Sequence, residues 1–387
     1  MSMGSSSKKL LVLILDAFSN RYLKHATYLN KLCYDNYCTT IEPLFAYEGI
    51  RTAILTGLDV RESGVWHDKV FVPQGRKEFR VKFLKIFTAI VDRMSLNDFT
   101  NKALRYVLFK IFREEYGTPH LIPSQYLEYF KTYKHIHKKT PDIFQVLNEK
   151  EIRVVWIEPK LTMMEEVKLR KLPKYFKQYD LVILKLNSLD RLGHTYGPLS
   201  REVRARLEYL DAEIERSFRV LRKEYKGLFY IVMSDHGMTP VEKTIDIEKI
   251  LSREVSAKPL KDYVYYIGST FTSFWFFNNS AREEVMSILQ KLRSYGRILS
   301  DEELTMLGIS KELYGHLIFA LNEGIVFFPN FFQRRNIPKG MHGYFNSQYD
   351  KPISITNIDI KHQIVCVSGL KFSEVNKVIL KFFGIAT

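Results

Sequence analysis

The run Leu181-Val-Ile-Leu-Lys-Leu-Asn-Ser-Leu-Asp190-Arg-Leu-Gly-His194-Thr-Tyr-Gly-Pro198 starts as an apolar segment and ends in residues that carry chemistry. Continuous apolar sequence of this length is what a strand buried on both faces requires. After it the chain turns into a predicted loop, punctuated by Gly193, Gly197 and Pro198. That loop holds an aspartate and, four residues later, a histidine. Open α/β sheets place their chemistry at the carboxyl ends of such strands. A carboxylate and an imidazole together suit zinc or a similar divalent ion.

The same arrangement recurs along the chain. Leu228-Phe-Tyr-Ile-Val-Met-Ser234 is a second apolar run and leads into Asp235-His236-Gly237-Met238. The first apolar run, Leu10 to Leu15, leads into Asp16, and a later histidine stands in Gly340-Met-His342-Gly-Tyr344. Asp16, Asp190, His194, Asp235, His236 and His342 make six candidate ligands, enough for two metal ions with positions left open for substrate.

The motifs D-x-x-G-H-x-x-G-P, S-D-H-G-M and G-x-H-G-Y follow, in this order, a strand ending in Asp. In this they resemble the alkaline phosphatase superfamily, and within it the type I phosphodiesterase/nucleotide pyrophosphatase group. The resemblance runs from about Leu10 to His342, specific at the metal motifs and loose between them. It implies that Asp190, His194 and His342 hold one ion and that Asp16, Asp235 and His236 hold the other. Two divalent ions, with zinc preferred by the donor set and manganese or iron also compatible, would then serve phosphoryl transfer. A closed structural zinc site is disfavoured, because such sites lean on cysteine.

The departure from the family lies at the nucleophile. In the superfamily a Thr, Ser or modified Cys stands ten residues before the glycine of a T-G pair, and counting back from Gly57 reaches Tyr47. No Ser, Thr or Cys lies between Thr40 and Arg51. Three readings stay open: Tyr47 as a covalent nucleophile, Glu48 as ligand or base with water attacking directly, or no catalysis. Arg51, four residues past the slot, either neutralises a bound phosphate or pairs with a surface carboxylate. The segment Thr56-Gly57 to Gly64 resembles the family's T-G-x-x-P-x-x-H-G, with Ser63 in place of the frequent histidine.

The chain has 387 residues and a formal net charge of +15, which draws phosphate-bearing partners or serves solubility alone. No stretch approaches the roughly 18 apolar residues that span a bilayer. Leu10 to Leu15 is too short for a signal-peptide core, so the expected location is cytoplasmic, peripheral to a membrane if the basic surface binds one. Three cysteines, Cys33, Cys38 and Cys366, give no even framework and are read as inert thiols.

Strand and helix patterns alternate through most of the chain. Tyr22 to Cys33 reads as a helix with Tyr28, Leu29 and Leu32 on one face, and Ile50 to Leu58 as another ending at Gly57. Thr140-Pro141 marks a further helix start, and Ile152 to Glu158 a strand. Val203, Leu207, Leu210, Ile214, Phe218 and Leu221 keep helical spacing between Leu199 and Tyr225. The expected fold is α/β, a largely parallel central sheet with helices on both faces, alkaline-phosphatase-like, forming one catalytic domain over 8–387.

Two insertions are expected within it. Residues 67–139 read as a basic, aromatic helical cap, with Phe79, Phe83, Phe87 and Ile90 on one helix and Leu104, Val107, Leu108 and Ile111 on another. Such a segment either packs on the core or forms a basic amphipathic lid that meets an anionic membrane surface or substrate. Residues 256–337 read as a small α+β insertion, with His316–Ala320 and Gly324–Phe328 as a hairpin.

The expected function is two-metal hydrolysis of phosphodiester or pyrophosphate bonds in a phosphorylated small-molecule, nucleotide or lipid-linked substrate. Nucleic acid is the less favoured partner, and the oligomeric state is not legible. The alternatives are a phosphomonoesterase or sulfatase-like hydrolase, or a metal-binding pseudoenzyme.

Overall fold

The computed structural model describes residues 8–114, 120–132, 140–159, 164–349, 351–359 and 369–386. Cys366 and parts of the expected 67–139 cap lie outside these residues. The chain forms two compact units, the first made of Met1–Asp59, Ile136–Pro240 and Asn346–Thr387, the second of Val60–His135 and Val241–Phe345.

The first unit holds the α/β sheet. Its strands are β1 (Leu10–Leu15), β2 (Tyr37–Thr40), β3 (Val154–Ile157), β4 (Leu181–Leu186), β5 (Phe229–Met233) and β6 (Ile353–Thr356), in the spatial order β2-β6-β5-β1-β4-β3. β3, β4, β1 and β5 run parallel, and β6 is antiparallel to both β5 and β2. Its helices are α1 (Thr27–Asp35), α2 (Ile50–Thr56), α3 (Ile143–Asn148), α4 (Glu165–Arg170), α5 (Leu172–Gln178), α6 (Ser188–Tyr196), α7 (Arg201–Glu224) and α8 (Phe372–Phe382).

β1 shows why its sequence has no polar face. Leu11, Leu13 and Leu15 join the core under α1, α5 and α7. Leu10, Val12 and Ile14 join the opposite core, with α2, α3 and α8. Each such buried aliphatic side chain contributes about 1.5–3 kcal/mol. The central sheet is therefore covered on both faces, as the apolar runs required.

Several local expectations are corrected. The Tyr22–Cys33 helix is broken at Ala26 into a 3-10 turn, Asn20–His25, and α1. α3 is capped by Asp142 rather than Thr140: Asp142 accepts from Gln145 N while the Gln145 side chain accepts from Asp142 N, a reciprocal box that outcompetes the upstream proline signal. α2 ends at Gly57 as expected, in the left-handed region at φ 72°. A side chain there would run into Asn376, whose amide donates to the α2 carbonyls of Ile54 and Leu55 at 3.0 and 3.1 Å.

The cysteine reading is also corrected. Cys33 and Cys38, five residues apart, form a disulfide with Cα atoms 5.0 Å apart. The turn from α1 into β2 brings the two side chains together, which spacing alone did not reveal. So short a loop gains about 2 kcal/mol from the bond. Protein denatured without reductant should show one titratable thiol, and three after reduction. Three thiols before reduction would rule the bond out.

In the second unit an antiparallel sheet has the order Tyr263–Ile267, Phe271–Phe276, Leu317–Leu321, Gly296–Ile298. Leu317–Leu321 and Ile325–Phe327 do not form the expected hairpin. The latter strand turns away to pair in parallel with Lys243–Ile245. Segments expected as two separate insertions share one aromatic core: Phe71 stacks on Trp275 with ring centroids 4.6 Å apart, and Trp66 lies 4.8 Å from Phe271.

Candidate metal centre

Three elements of the first unit deliver the charged groups. Asp16 follows β1, Asp235 and His236 follow β5, and Asp190 and His194 stand on α6. The last pair was expected on a loop. The chain instead enters a helix directly after β4, which puts positions i and i+4 on one face, and His194 Nε2 lies 3.2 Å from Asp190 Oδ1. Gly193 lies within this helix because Met238, in the Asp235–Met238 motif, packs against it; an added Cβ would press into the Met238 sulfur. The two motifs therefore interlock.

Asp16, Asp235 and His236 each offer a ligand atom within 4.8 Å of the others, and all three are buried. His236 Nε2 is 3.1 Å from Asp16 Oδ1 and 4.0 Å from Asp235 Oδ1. Atoms on one tetrahedral zinc ion are about 3.3 Å apart, as bond lengths of 2.0–2.1 Å dictate. His236 Nδ1 lies 2.9 Å from the Gly237 carbonyl. A neutral ring there keeps its proton on Nδ1 and presents Nε2 to the acids, the usual arrangement behind a metal-bound imidazole. Asp16 Oδ1 is buried and receives no hydrogen bond of good geometry. The donor set fits a divalent ion.

The sequence reading missed one member of this cluster. Lys185, inside β4, reaches Asp16 Oδ2 at 2.9 Å and Asp235 Oδ2 at 2.7 Å. A lone lysine in an otherwise apolar buried strand was the available signal. Burial opposes its charge, but Asp16 and Asp235 outweigh burial and hold the ammonium well above its usual range. The Asp16 carboxyl is pushed up to about 6, first by burial and then by Asp235. Asp235 goes the other way: burial raises it, and Lys185 with His236 more than reverse that. Burial would lower the His236 imidazole, but the charges of Asp235, Asp16 and Asp190 outweigh it and push the group well above its usual range.

Tyr47 belongs to this neighbourhood. Its ring meets His236 edge-on, with centroids 5.6 Å apart. It stands in the turn before α2, with Ala46 and Tyr47 both left-handed at φ 63° and 53°. Non-glycine residues rarely adopt that region, and such strain gathers at functional sites. Glu48 is buried. Arg51 is exposed, its guanidinium over the Trp156 ring at 5.2 Å from the centroid. His342 belongs to the second unit, directly after the short strand Gly340–Met341.

That second unit contains a further buried charge cluster that was not anticipated. Asp68, wholly buried, takes the Lys69 ammonium at 2.6 Å, with His67 Nδ1 at 3.5 Å. His67 Nε2 is 3.3 Å from the Tyr266 hydroxyl. Burial and the charges of Lys69 and Arg105 hold His120 well below its usual range. Three titratable residues in a row within Val65–Phe71 were the sign of it.

Comparison with known proteins bears on the fold and the family. No curated protein sequence matches the chain. Among solved structures, an inactive variant of murine ectonucleotide pyrophosphatase/phosphodiesterase 5 in complex with AMP superposes with a TM-score of 0.67 at 14% identity, covering 98% of this chain and 96% of that one. The human counterpart gives 0.67 at 13%, with the same coverage. Phosphonoacetate hydrolase from Sinorhizobium meliloti 1021, in complex with phosphonoformate, gives 0.66 at 12%, covering 98% and 95%. A sequence model of type I phosphodiesterase/nucleotide pyrophosphatase matches residues 10–344. The chain therefore belongs to the type I phosphodiesterase/nucleotide pyrophosphatase family, hydrolases of phosphodiester and pyrophosphate bonds.

Proposed function

We propose that the protein is a zinc-dependent hydrolase of phosphodiester or pyrophosphate bonds in small phosphorylated molecules, nucleotides among them. The carrying observation is the convergence of Asp16, Asp235 and His236 within 4.8 Å at the strand ends of a chain of this family. Asp16, Asp235 and His236 would hold one ion; Asp190, His194 and His342 would hold the second, as the family motifs imply. When bound, the ions supply charge neutralisation at the transferring phosphoryl group. The small-molecule reading draws support from the relatives, whose structures hold AMP and phosphonoformate.

Tyr47 is the proposed source of the attacking oxygen, supported by its slot before Gly57 and its edge contact with His236. The phenolic oxygen would bond to phosphorus as the ester oxygen leaves. Water would then release the phosphate and restore the phenol, with Glu48 as the base. Arg51 would meet the substrate phosphate by leaving Trp156. Tyr47→Phe keeps the ring and removes the oxygen, so turnover should fall to background while zinc content stays unchanged. Undiminished turnover would eliminate the covalent tyrosine and assign the attack to water.

A second reading rests on Lys185. Its ammonium already bridges two of the proposed ligands, as a cation would. Together with the altered nucleophile slot, this supports a pseudoenzyme that binds phosphorylated ligands without turnover. Purified protein assayed on aryl phosphodiester, aryl phosphomonoester and aryl sulfate, with and without zinc, separates the readings. Zinc-dependent turnover of the diester is expected. Preference for monoester or sulfate, or none with any substrate, would overturn the proposal.

The cytoplasm remains the proposed location, and the Cys33–Cys38 bond argues against it, for a compartment that spares disulfides. Among the described residues no helix is long and apolar enough to cross a membrane. The thiol count of protein taken directly from its own cell distinguishes the two.

A further inference from the structure

Two helices of the second unit, Phe79–Arg93 and Asp98–Ile111, pack on each other and expose an apolar surface. On the first, Val81, Leu84, Thr88 and Val91 form the buried face. Phe79, Phe83, Ile86, Phe87 and Ile90 lie on the opposite side and are all exposed, Phe79 by 74%. Of the two readings left open for this stripe, the structure turns it outward, because this helix is apolar on two sides. The second helix repeats the pattern. Arg105 and Phe109 face inward, while Phe99, Leu104, Val107 and Ile111 face out, Phe99 by 82%. Ring contact between Phe87 and Phe112 ties the pair together.

Scattered exposed apolar residues are ordinary, but a contiguous face on two adjacent helices of 15 and 14 residues marks a contact surface. Its rim decides what it contacts. Lys82 and Arg93 lie along one edge of the first helix's stripe and Arg80 along the other, with Lys110 and Arg113 on the second helix and beyond its end, all exposed. Of the nearby acids, Asp92 is tied to buried Arg105 and Glu78 to Arg76, while Glu114 pairs with Arg76 and with Arg80 of the rim, leaving Lys82, Arg93, Lys110 and Arg113 as the cations that decide the partner. A second copy docked face to face would set one basic rim against another. An anionic bilayer complements both parts, taking the apolar stripe below the headgroups and the cations among them.

We propose that this helical hairpin is a membrane-docking face that seats the protein on anionic lipid. It stands whether or not the metal centre turns over substrate.

The test is flotation of the full chain with vesicles of phosphatidylcholine alone, or with about a third phosphatidylserine, at low and high salt. Binding is expected only to the anionic vesicles and should weaken with salt. Lys82→Gln with Arg93→Gln should weaken it roughly 30-fold, at about fivefold per cation. Phe79→Ser, Phe83→Ser and Ile86→Ser together should abolish binding; all three are exposed, so an unchanged circular dichroism spectrum is expected. Hydrolysis of a soluble aryl phosphodiester, if present, should survive in that triple variant. No binding to anionic vesicles at low salt, or wild-type binding by the triple variant, would overturn the proposal. So would a concentration-dependent dimer that the triple variant dissolves, which would give the face to a second copy.

Discussion

Replacing Asp235 by Ala should strip the first metal position and cost more than about 100-fold in turnover, since losing a mere supporting partner of a ligand already costs 10–100-fold. Asp235 does three things at once. Its Oδ1 accepts from Ala17 N at 3.3 Å and His236 N at 3.0 Å, and its Oδ2 takes Lys185. Ala17 is left-handed, at φ 61°, directly after Asp16, so Asp235 also holds the turn that aims another proposed ligand. Alanine would leave two buried N–H groups without an acceptor, at about 1–3 kcal/mol each. Loss of activity in that variant could therefore reflect a displaced turn. Asp235→Asn separates the effects, because the amide oxygen can still accept from both N–H groups while the negative charge is gone. The expected result is an Asn variant that is folded, depleted of zinc after dialysis, and inactive. Stoichiometric zinc at unchanged affinity in that variant would remove Asp235 from the ligand set.

The second large effect is expected at Lys185. Without metal, its ammonium is the cation that lets Asp16 and Asp235 sit buried side by side. Lys185→Met keeps the length of the side chain and its fit among the apolar residues of β4, but leaves two carboxylates facing each other. Breaking a buried pair from one side costs about 3–5 kcal/mol. Denaturant unfolding in the presence of chelator should show that loss. Saturating zinc should return most of it, because the ion supplies the missing charge and binding stabilises the folded state. Zinc affinity should rise, since no resident cation competes. Equal stability of Lys185→Met and wild type in chelator would mean the ammonium is not needed there. One bound zinc in the wild type and two in the variant would show that the lysine takes an ion's place, favouring the pseudoenzyme reading.

The chemistry was legible because it is local in sequence. Apolar runs that end in Asp16, Asp190 and Asp235 are strands by composition, and buried parallel strands deliver whatever follows them to one edge of a sheet. The same logic found α7, whose six core residues keep strict spacing, and the end of α2 at Gly57. The loop assignment for Asp190 and His194 failed because glycines usually break helices. Here Gly193 is helical for a reason outside its own segment, the approach of Met238.

Sequence alone determined the four parallel strands, their two-sided burial and the acids that follow them, since periodicity and motif spacing are properties of short stretches, whereas the antiparallel strands Tyr37–Thr40 and Ile353–Thr356 were not legible. Only the tertiary structure decided the rest. It placed Lys185 between Asp16 and Asp235, a strand residue whose ammonium reaches two loops more than 150 and 40 residues away in the chain. It joined Cys33 to Cys38 and turned the Phe79–Ile90 stripe outward. Each of these depends on which way a side chain points once its element has docked. A helix apolar on two sides, or a lysine among leucines, carries no mark of that direction until its neighbours are in place.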